Sequence, residues 1–260
     1  MAGSIACVTN SAAGLRRSAS GDDCAGAGLV IAVDGPSGSG KSSAARGTAA
    51  RLGLRYLDTG AMYRAVTWWL LEHDIDLADT DAVVRHGRGL TIDISTDPGA
   101  QHVRVDGIEV TAEIRNRRVS NVVSLVASVP QIRSYLIALQ RGLIADAVAA
   151  GAGIVAEGRD IGTVVAPGAA VKVFLTASEQ ARAERRAAEL AATVAPSGAA
   201  VPEQPPSAEL TKTEQAQRDR RDAPQSLMAG DAVEIDATEI GLDDVVARIV
   251  ALARAKRAGG

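Results

Sequence analysis

Short apolar runs alternate along most of the chain with longer stretches of helical spacing. Leu29 to Val33, Gly153 to Ala156 and Val171 to Leu175 are nearly continuous in apolar residues, the pattern of parallel strands buried on both faces. Arg55 to Leu57 reads as a short second strand and Val233 to Ile235 as a last one. Helical spacing predicts helices over Ser42 to Leu52, stopped by Gly53, and over Ala61 to Leu71. Two further helical segments are broken at Pro130, the second reaching about Ala150, and Ser178 to Leu190 and Leu242 to Ala255 complete the set.

Residues 90 to 110 depart from this rhythm. Leu90, Ile92 and Ile94 alternate with polar residues, Asp97-Pro98-Gly99 is a turn, Val103 and Val105 alternate again, and Asp106-Gly107 is a hairpin turn before Ile108 and Val110. The expected architecture is therefore α/β: a parallel central sheet flanked by helices, with a small antiparallel sheet inserted. Ala195 to Pro206, rich in alanine and proline, interrupts the alternation where a mobile lid is expected. The expected divisions are a disordered extension over 1–27, core over 28–87, a β-containing insertion over 88–128, core over 129–192, a lid over 193–229, and a last core strand and helix over 230–260.

Composition narrows the setting. A chain of 260 residues with 47% hydrophobic content can bury a sizeable core. The net charge of −3 gives no reason to expect a surface that coats a nucleic acid polymer, although lysine occurs only at 41, 172, 212 and 256 and arginine supplies the other cations. No apolar stretch approaches the roughly 18 residues of a membrane span, so no membrane partner is expected. Cys7 and Cys24 both lie in the leader, which fits a reducing, cytoplasmic setting. Residues 1–27 lack a long apolar centre and carry Asp22 and Asp23, so they are read as an extension or as a start codon assigned too early.

The chemistry begins directly after the first strand. Gly35-Pro36-Ser37-Gly38-Ser39-Gly40-Lys41-Ser42 fits the phosphate-loop pattern G-x-x-x-x-G-K-[ST] at every fixed position. Glycines allow the backbone N–H groups to turn inward onto phosphate oxygens, and the following helix adds its N-terminal dipole. Lys41 is placed to meet the β- and γ-phosphates, and the Ser42 hydroxyl to ligate Mg2+ directly. Gly35 through Ser42, with Ser43, are the expected ATP-binding residues.

A phosphate loop alone does not distinguish a kinase from a GTPase, an ATPase or a sulfotransferase. No N-K-x-D guanine signature follows it. Three arginine-bearing clusters compete to build a second anionic pocket: Tyr63-Arg64, Gly158-Arg159-Asp160 and Arg218 to Asp222. Ligands of open parallel sheets bind at the carboxyl ends of strands, which puts Glu157-Gly158-Arg159-Asp160 beside the loop. Glu157 is then a candidate holder of a Mg2+-bound water, Arg159 a phosphate grip, and Asp160 an acceptor for a base amino group.

Several of these segments together resemble the bacterial cytidylate (CMP/dCMP) kinases. The resemblance rests on Asp34 to Ser42, Asp58-Thr59-Gly60-Ala61-Met62-Tyr63-Arg64, Glu113-Ile114-Arg115, Gly158 to Val165 and Val171 to Leu175, and spans about residues 29 to 256. It implies that ATP and CMP or dCMP are the substrates, with Mg2+ accompanying ATP, and that Lys41, Arg159 and Arg218 carry the catalytic charge. It further implies that Ser124, Arg133 and Asp160 meet the cytosine ring, that Arg64, Arg159 and Arg218 hold the acceptor phosphate, and that Asp222 contacts the sugar. Thr59 and Tyr63 would complete the monophosphate pocket. His73, His86 and His102 all lie outside these motifs, as expected where the acceptor is already an anion. A monomer is expected. A phosphate-loop kinase for another small acceptor, and a nucleotide-binding regulatory protein with decayed transferase activity, are the alternatives.

The departure from the family lies in the lid, where R-D-x-x-D-x-x-R is usual. Here the chain reads Arg218-Asp219-Arg220-Arg221-Asp222-Ala223-Pro224-Gln225, with Gln225 in place of the second arginine. Pro224 is expected to end the helix and turn Gln225 away from the face of Asp222, leaving Arg221 to compensate. Weaker acceptor contact is the expected result.

Overall fold

The computed structural model describes residues 28–193, 213, 216, 217 and 219–258. The expectations for residues 1–27, for Ala195 to Pro206 and for Arg218 lie outside the described residues.

Five parallel strands form the central sheet: β1 (Val30–Asp34), β2 (Arg55–Asp58), β6 (Ile154–Glu157), β7 (Val171–Thr176) and β8 (Val233–Asp236). Their order is β2-β6-β1-β7-β8, with Val33 opposite both Glu157 and Val173. Because side chains alternate across a strand, neighbouring residues of β1 feed two cores. Ala32 packs on one face with Leu57, Ile154 and Ala156; Ile31 and Val33 pack on the other with Val155, Val173 and Leu175. The seven helices described here are α1 (Lys41–Leu52), α2 (Thr59–Glu72), α3 (Thr80–Gly87), α4 (Arg117–Ala127), α5 (Pro130–Ala149), α6 (Glu179–Thr193) and α7 (Leu242–Ala258). Residues of α2, α3 and α5 build the first core, and residues of α1 and α7 the second. Among the described residues no single helix is long and apolar enough to cross a membrane.

A separate antiparallel sheet, β3 (Ile92–Ile94), β4 (Val103–Val105) and β5 (Ile108–Glu109), adds Ile92, Ile94, Val103 and Val105 to the first core. Asp106 and Gly107 both have positive φ (48° and 83°), the conformation of a tight hairpin turn. Besides short 3-10 turns, two elements among the described residues were not expected. Helix α3 has only Val83 and Gly87 buried, so its apolar stripe is too narrow to read. The other is a π-helical turn over Ile161–Val165, which directly follows Asp160.

The end of β1 is tied down on two sides. The Asp34 carboxylate is buried and accepts the backbone N–H groups of Ile161 (2.8 Å) and Gly162 (2.7 Å), fastening the turn after β6 to the phosphate loop. Gly35 follows at φ 144°, and a Cβ there would lie 2.1 Å from the Leu175 carbonyl oxygen on β7. Gly35→Ala is therefore predicted to cost about 3 kcal/mol, combining backbone strain with overpacking, and to lower the melting temperature by roughly 6–12 °C. Gly53→Ala, at φ 63° with open space around it, should cost only about 1 kcal/mol. Thermal denaturation of the two variants side by side checks the difference.

Candidate active site

The phosphate loop has the backbone its glycines permit. Gly38 and Gly40 take positive φ (75° and 92°), and Gly40 leads into α1 at Lys41. Lys41 is buried and its Nζ donates to the Pro36 carbonyl (2.6 Å) across the loop. Burial holds its pKa below the usual lysine range, with the Arg159 guanidinium adding to the effect. Beside it, Glu157 ends β6 fully buried, accepts the Tyr56 hydroxyl (2.8 Å) and has the Ser42 hydroxyl next to it. Burial, then the neighbouring Asp58 carboxylate, pushes the Glu157 pKa up.

Across from the loop the walls of the same cavity are built from α2, α4 and α5. Asp58 caps α2 by accepting the Ala61 N–H (2.9 Å) and pairs with Arg115 (3.0 Å). Arg64, one turn into α2, donates to the Ile114 carbonyl (3.2 Å) and the Ser120 hydroxyl (2.8 Å). The Thr59 hydroxyl donates to the Glu157 carbonyl (2.7 Å), leaving only its lone pairs for a ligand. Arg133, in the first turn of α5, pairs with Asp160 (2.5 Å). The Tyr63 hydroxyl lies near this pair and beside the side-chain amide of buried Gln140. Burial pushes the Tyr63 pKa up to about 12.

Residues 219–225 reach the cavity at Asp222 and Gln225 and the back of the phosphate loop at Asp219. Asp219 accepts the Ser37 N–H (3.3 Å) and pairs with Arg182, so a carboxylate holds one of the loop's backbone donors. Arg182, from α6, also donates to the Ser37 carbonyl (3.1 Å). Asp222 accepts from the Ser124 hydroxyl (2.8 Å) and from Arg159 Nε (3.3 Å), while Arg159 Nη1 donates to the Gly35 carbonyl (2.8 Å). Gln225 accepts from Arg133 Nη1 (2.6 Å).

These contacts correct the expectation for Gln225. Ala223–Gln225 form a 3-10 turn directly after Asp222, and residues three apart eclipse in that geometry, so Pro224 does not turn Gln225 away. Arg221, the expected substitute, is exposed and does not line the cavity.

The resulting cavity, of about 600 Å³, is lined by Ser37, Gly38, Gly40, Lys41, Ser42 and Ser43 on one side. Thr59, Tyr63, Arg64, Ser124, Arg133, Glu157, Arg159, Asp160 and Asp222 line the rest. Gly35 and Pro36 instead contribute carbonyls to Arg159 and Lys41, and Ser39, within the loop, is fully buried. Residue typing missed Asp58, Arg115 and Gln225 in the lining, and Asp219 and Arg182 behind the loop. Arg115 sits within the Glu113-Ile114-Arg115 segment, so its signal was present; Asp219 lies in the Arg218 to Asp222 cluster and Arg182 on the helix begun at Ser178, and residue type alone does not pair the two across the loop.

Comparison with known proteins assigns the chain to a family. The family model described as cytidylate kinase matches residues 31–255. A cytidylate kinase of Streptomyces avermitilis is 45% identical over 230 residues, covering 88% of this chain and 94% of that protein. One from Streptomyces coelicolor is 46% identical over 231 residues, covering 89% and 95%. A solved gluconokinase structure from Sinorhizobium meliloti 1021 superimposes with a TM-score of 0.44 at 19% identity, over 90% of this chain and 96% of that one. With its phosphate loop at 35–42 and the family model covering nearly all of the described residues, the chain belongs to the cytidylate kinase family.

Proposed function

We propose that this protein transfers the γ-phosphate of ATP to CMP or dCMP, giving ADP and the corresponding diphosphate. The observation that carries this reading is a single cavity with the phosphate loop on one wall and Arg64, Arg115, Arg159 and the Ser124–Arg133–Asp160 group around the rest. The loop's N–H groups and Lys41 take the donor phosphates. Arg64, Arg115 and Arg159, with Arg218, take the acceptor phosphate. Ser124, Arg133 and Asp160 offer a hydroxyl, a guanidinium and a carboxylate to the base edge, matching a cytosine that carries both a donor amino group and acceptor atoms. Asp222 serves the sugar.

Little covalent chemistry is left for the protein. The acceptor phosphate is already an anion, so catalysis is alignment of an oxygen with the γ-phosphorus and neutralisation of charge by Lys41 and the arginines. Arg159 spans both halves, since it holds the Gly35 carbonyl of the loop and reaches the acceptor side. The residues present also fit a Mg2+ ion. Ser42 offers a hydroxyl, and Glu157 is a buried carboxylate next to a second one, Asp58, which favours a cation nearby. Among the described residues no group of three or more His, Cys, Asp or Glu side chains is placed to hold a metal. Mg2+ commonly takes one or two protein oxygens and completes its shell with phosphates and water. When bound, it would neutralise charge on the β- and γ-phosphates. A monomer in a cytoplasmic setting completes the reading, the two leader cysteines fitting a reducing compartment.

The test is acceptor-dependent ADP release with CMP, dCMP, UMP and AMP. Turnover should be greatest with the cytosine nucleotides; no acceptor-dependent release rejects the kinase reading, and equal rates reject the cytosine assignment. Arg159→Ala should lower kcat/KM for the acceptor by tens-fold or more, the scale of losing a charge-assisted hydrogen bond of about 1.5–3 kcal/mol.

Lys41 supplies a pH prediction. Its pKa is lowered in the free protein, so the proton is lost as pH rises through a range below that of an ordinary lysine, and the charge that meets ATP is lost with it. kcat/KM for ATP should therefore fall on the alkaline side, and Lys41→Arg, whose charge persists, should remove that limb even at a lower overall rate. A pH profile with the same alkaline limb in both proteins contradicts the assignment.

A further inference from the structure

The geometry points to Gln225 as a positioning residue for base recognition, acting through Arg133; this rests on the CMP kinase reading above. Arg133 is held at both ends of its guanidinium. Nη2 donates to Asp160 (2.5 Å), on the fixed core after β6, and Nη1 donates to Gln225 (2.6 Å), on the turn that also carries Asp222. The pair is largely buried, with the Arg133 side chain 18% exposed and that of Asp160 9%. A guanidinium has five N–H donors in a rigid plane. Two hydrogen bonds from different nitrogens fix the rotation of that plane and leave the remaining donors for the cavity that Arg133 lines.

The chemical type at 225 matters as much as its reach. A carboxamide oxygen accepts from Arg133 without adding charge beside the Arg133–Asp160 ion pair. An arginine at 225 would set a second cation against Arg133 and could not accept a hydrogen bond from it. The same 3-10 turn brings Asp222 to Ser124 (2.8 Å) and Arg159 (3.3 Å). The turn therefore touches one residue assigned to the acceptor phosphate and two assigned to the base, and Gln225 is its contact to the guanidinium that reads the base.

The closing experiment is steady-state kinetics of the full chain and of Gln225→Met, which keeps the side chain's length and removes the acceptor oxygen. KM for CMP should rise roughly tenfold, the scale of one hydrogen bond to a charged group, with KM for ATP within about twofold of wild type. The ratio of kcat/KM for CMP to that for UMP should fall by a similar factor. A merely structural role would shift both KM values together and leave the CMP-to-UMP ratio alone; that result, or an unchanged KM for CMP, overturns the inference. Absence of CMP turnover in the wild-type protein overturns the kinase reading and this inference with it, whereas normal wild-type turnover with an unaltered variant overturns only the role of Gln225.

Discussion

One guanidinium joins the two halves of the site. Arg159 stands after β6 and holds the carbonyl of Gly35 at the mouth of the phosphate loop, while its Nε reaches Asp222 on the turn that closes the far side. That bridge is possible because β1 and β6 are parallel neighbours in register, Val33 opposite Glu157, so both strands leave the sheet at its carboxyl end. The Asp34 carboxylate reinforces the arrangement by holding Ile161 and Gly162 against the end of β1. Strand pairing thus sets the distance between the phosphate loop and Arg159, and side-chain chemistry only refines it.

The site concentrates charge that burial alone would expel. Lys41, Asp34 and Glu157 are all buried, and each has its pKa moved toward the neutral form by desolvation. Each also has partners: Pro36 for Lys41, two backbone N–H groups for Asp34, and Tyr56 for Glu157. Fixed dipoles of this kind stabilise developing charge without reorganising, which suits phosphoryl transfer. Asp219 on the Ser37 N–H follows the same logic from the other direction, because a loop built to attract phosphate oxygens also attracts a carboxylate.

Much of this was legible in the residues. The three central strands β1, β6 and β7 follow from short apolar runs, because strands buried on both faces need no alternation, and the phosphate loop follows from glycine and lysine spacing. Helix α3 was not legible, since a helix that buries only Val83 and Gly87 leaves almost no stripe. The reach of Gln225 was hidden for a different reason: Pro224 signals the end of an α-helix but is compatible with the 3-10 turn that aligns Gln225 with Asp222. Arg182 and Asp219 were hidden because their partners lie far away in sequence, in the loop and in each other.

The central claim is that donor and acceptor occupy one cavity together, and a bisubstrate ligand tests it most directly. A molecule joining adenosine and cytidine through a chain of phosphates converts two binding events into one, with a gain set by effective concentration. The account predicts that it binds this protein at least a hundredfold more tightly than either ATP or CMP, and that it competes with both. Affinity no better than that of ATP, with competition against ATP alone, would contradict a shared cavity.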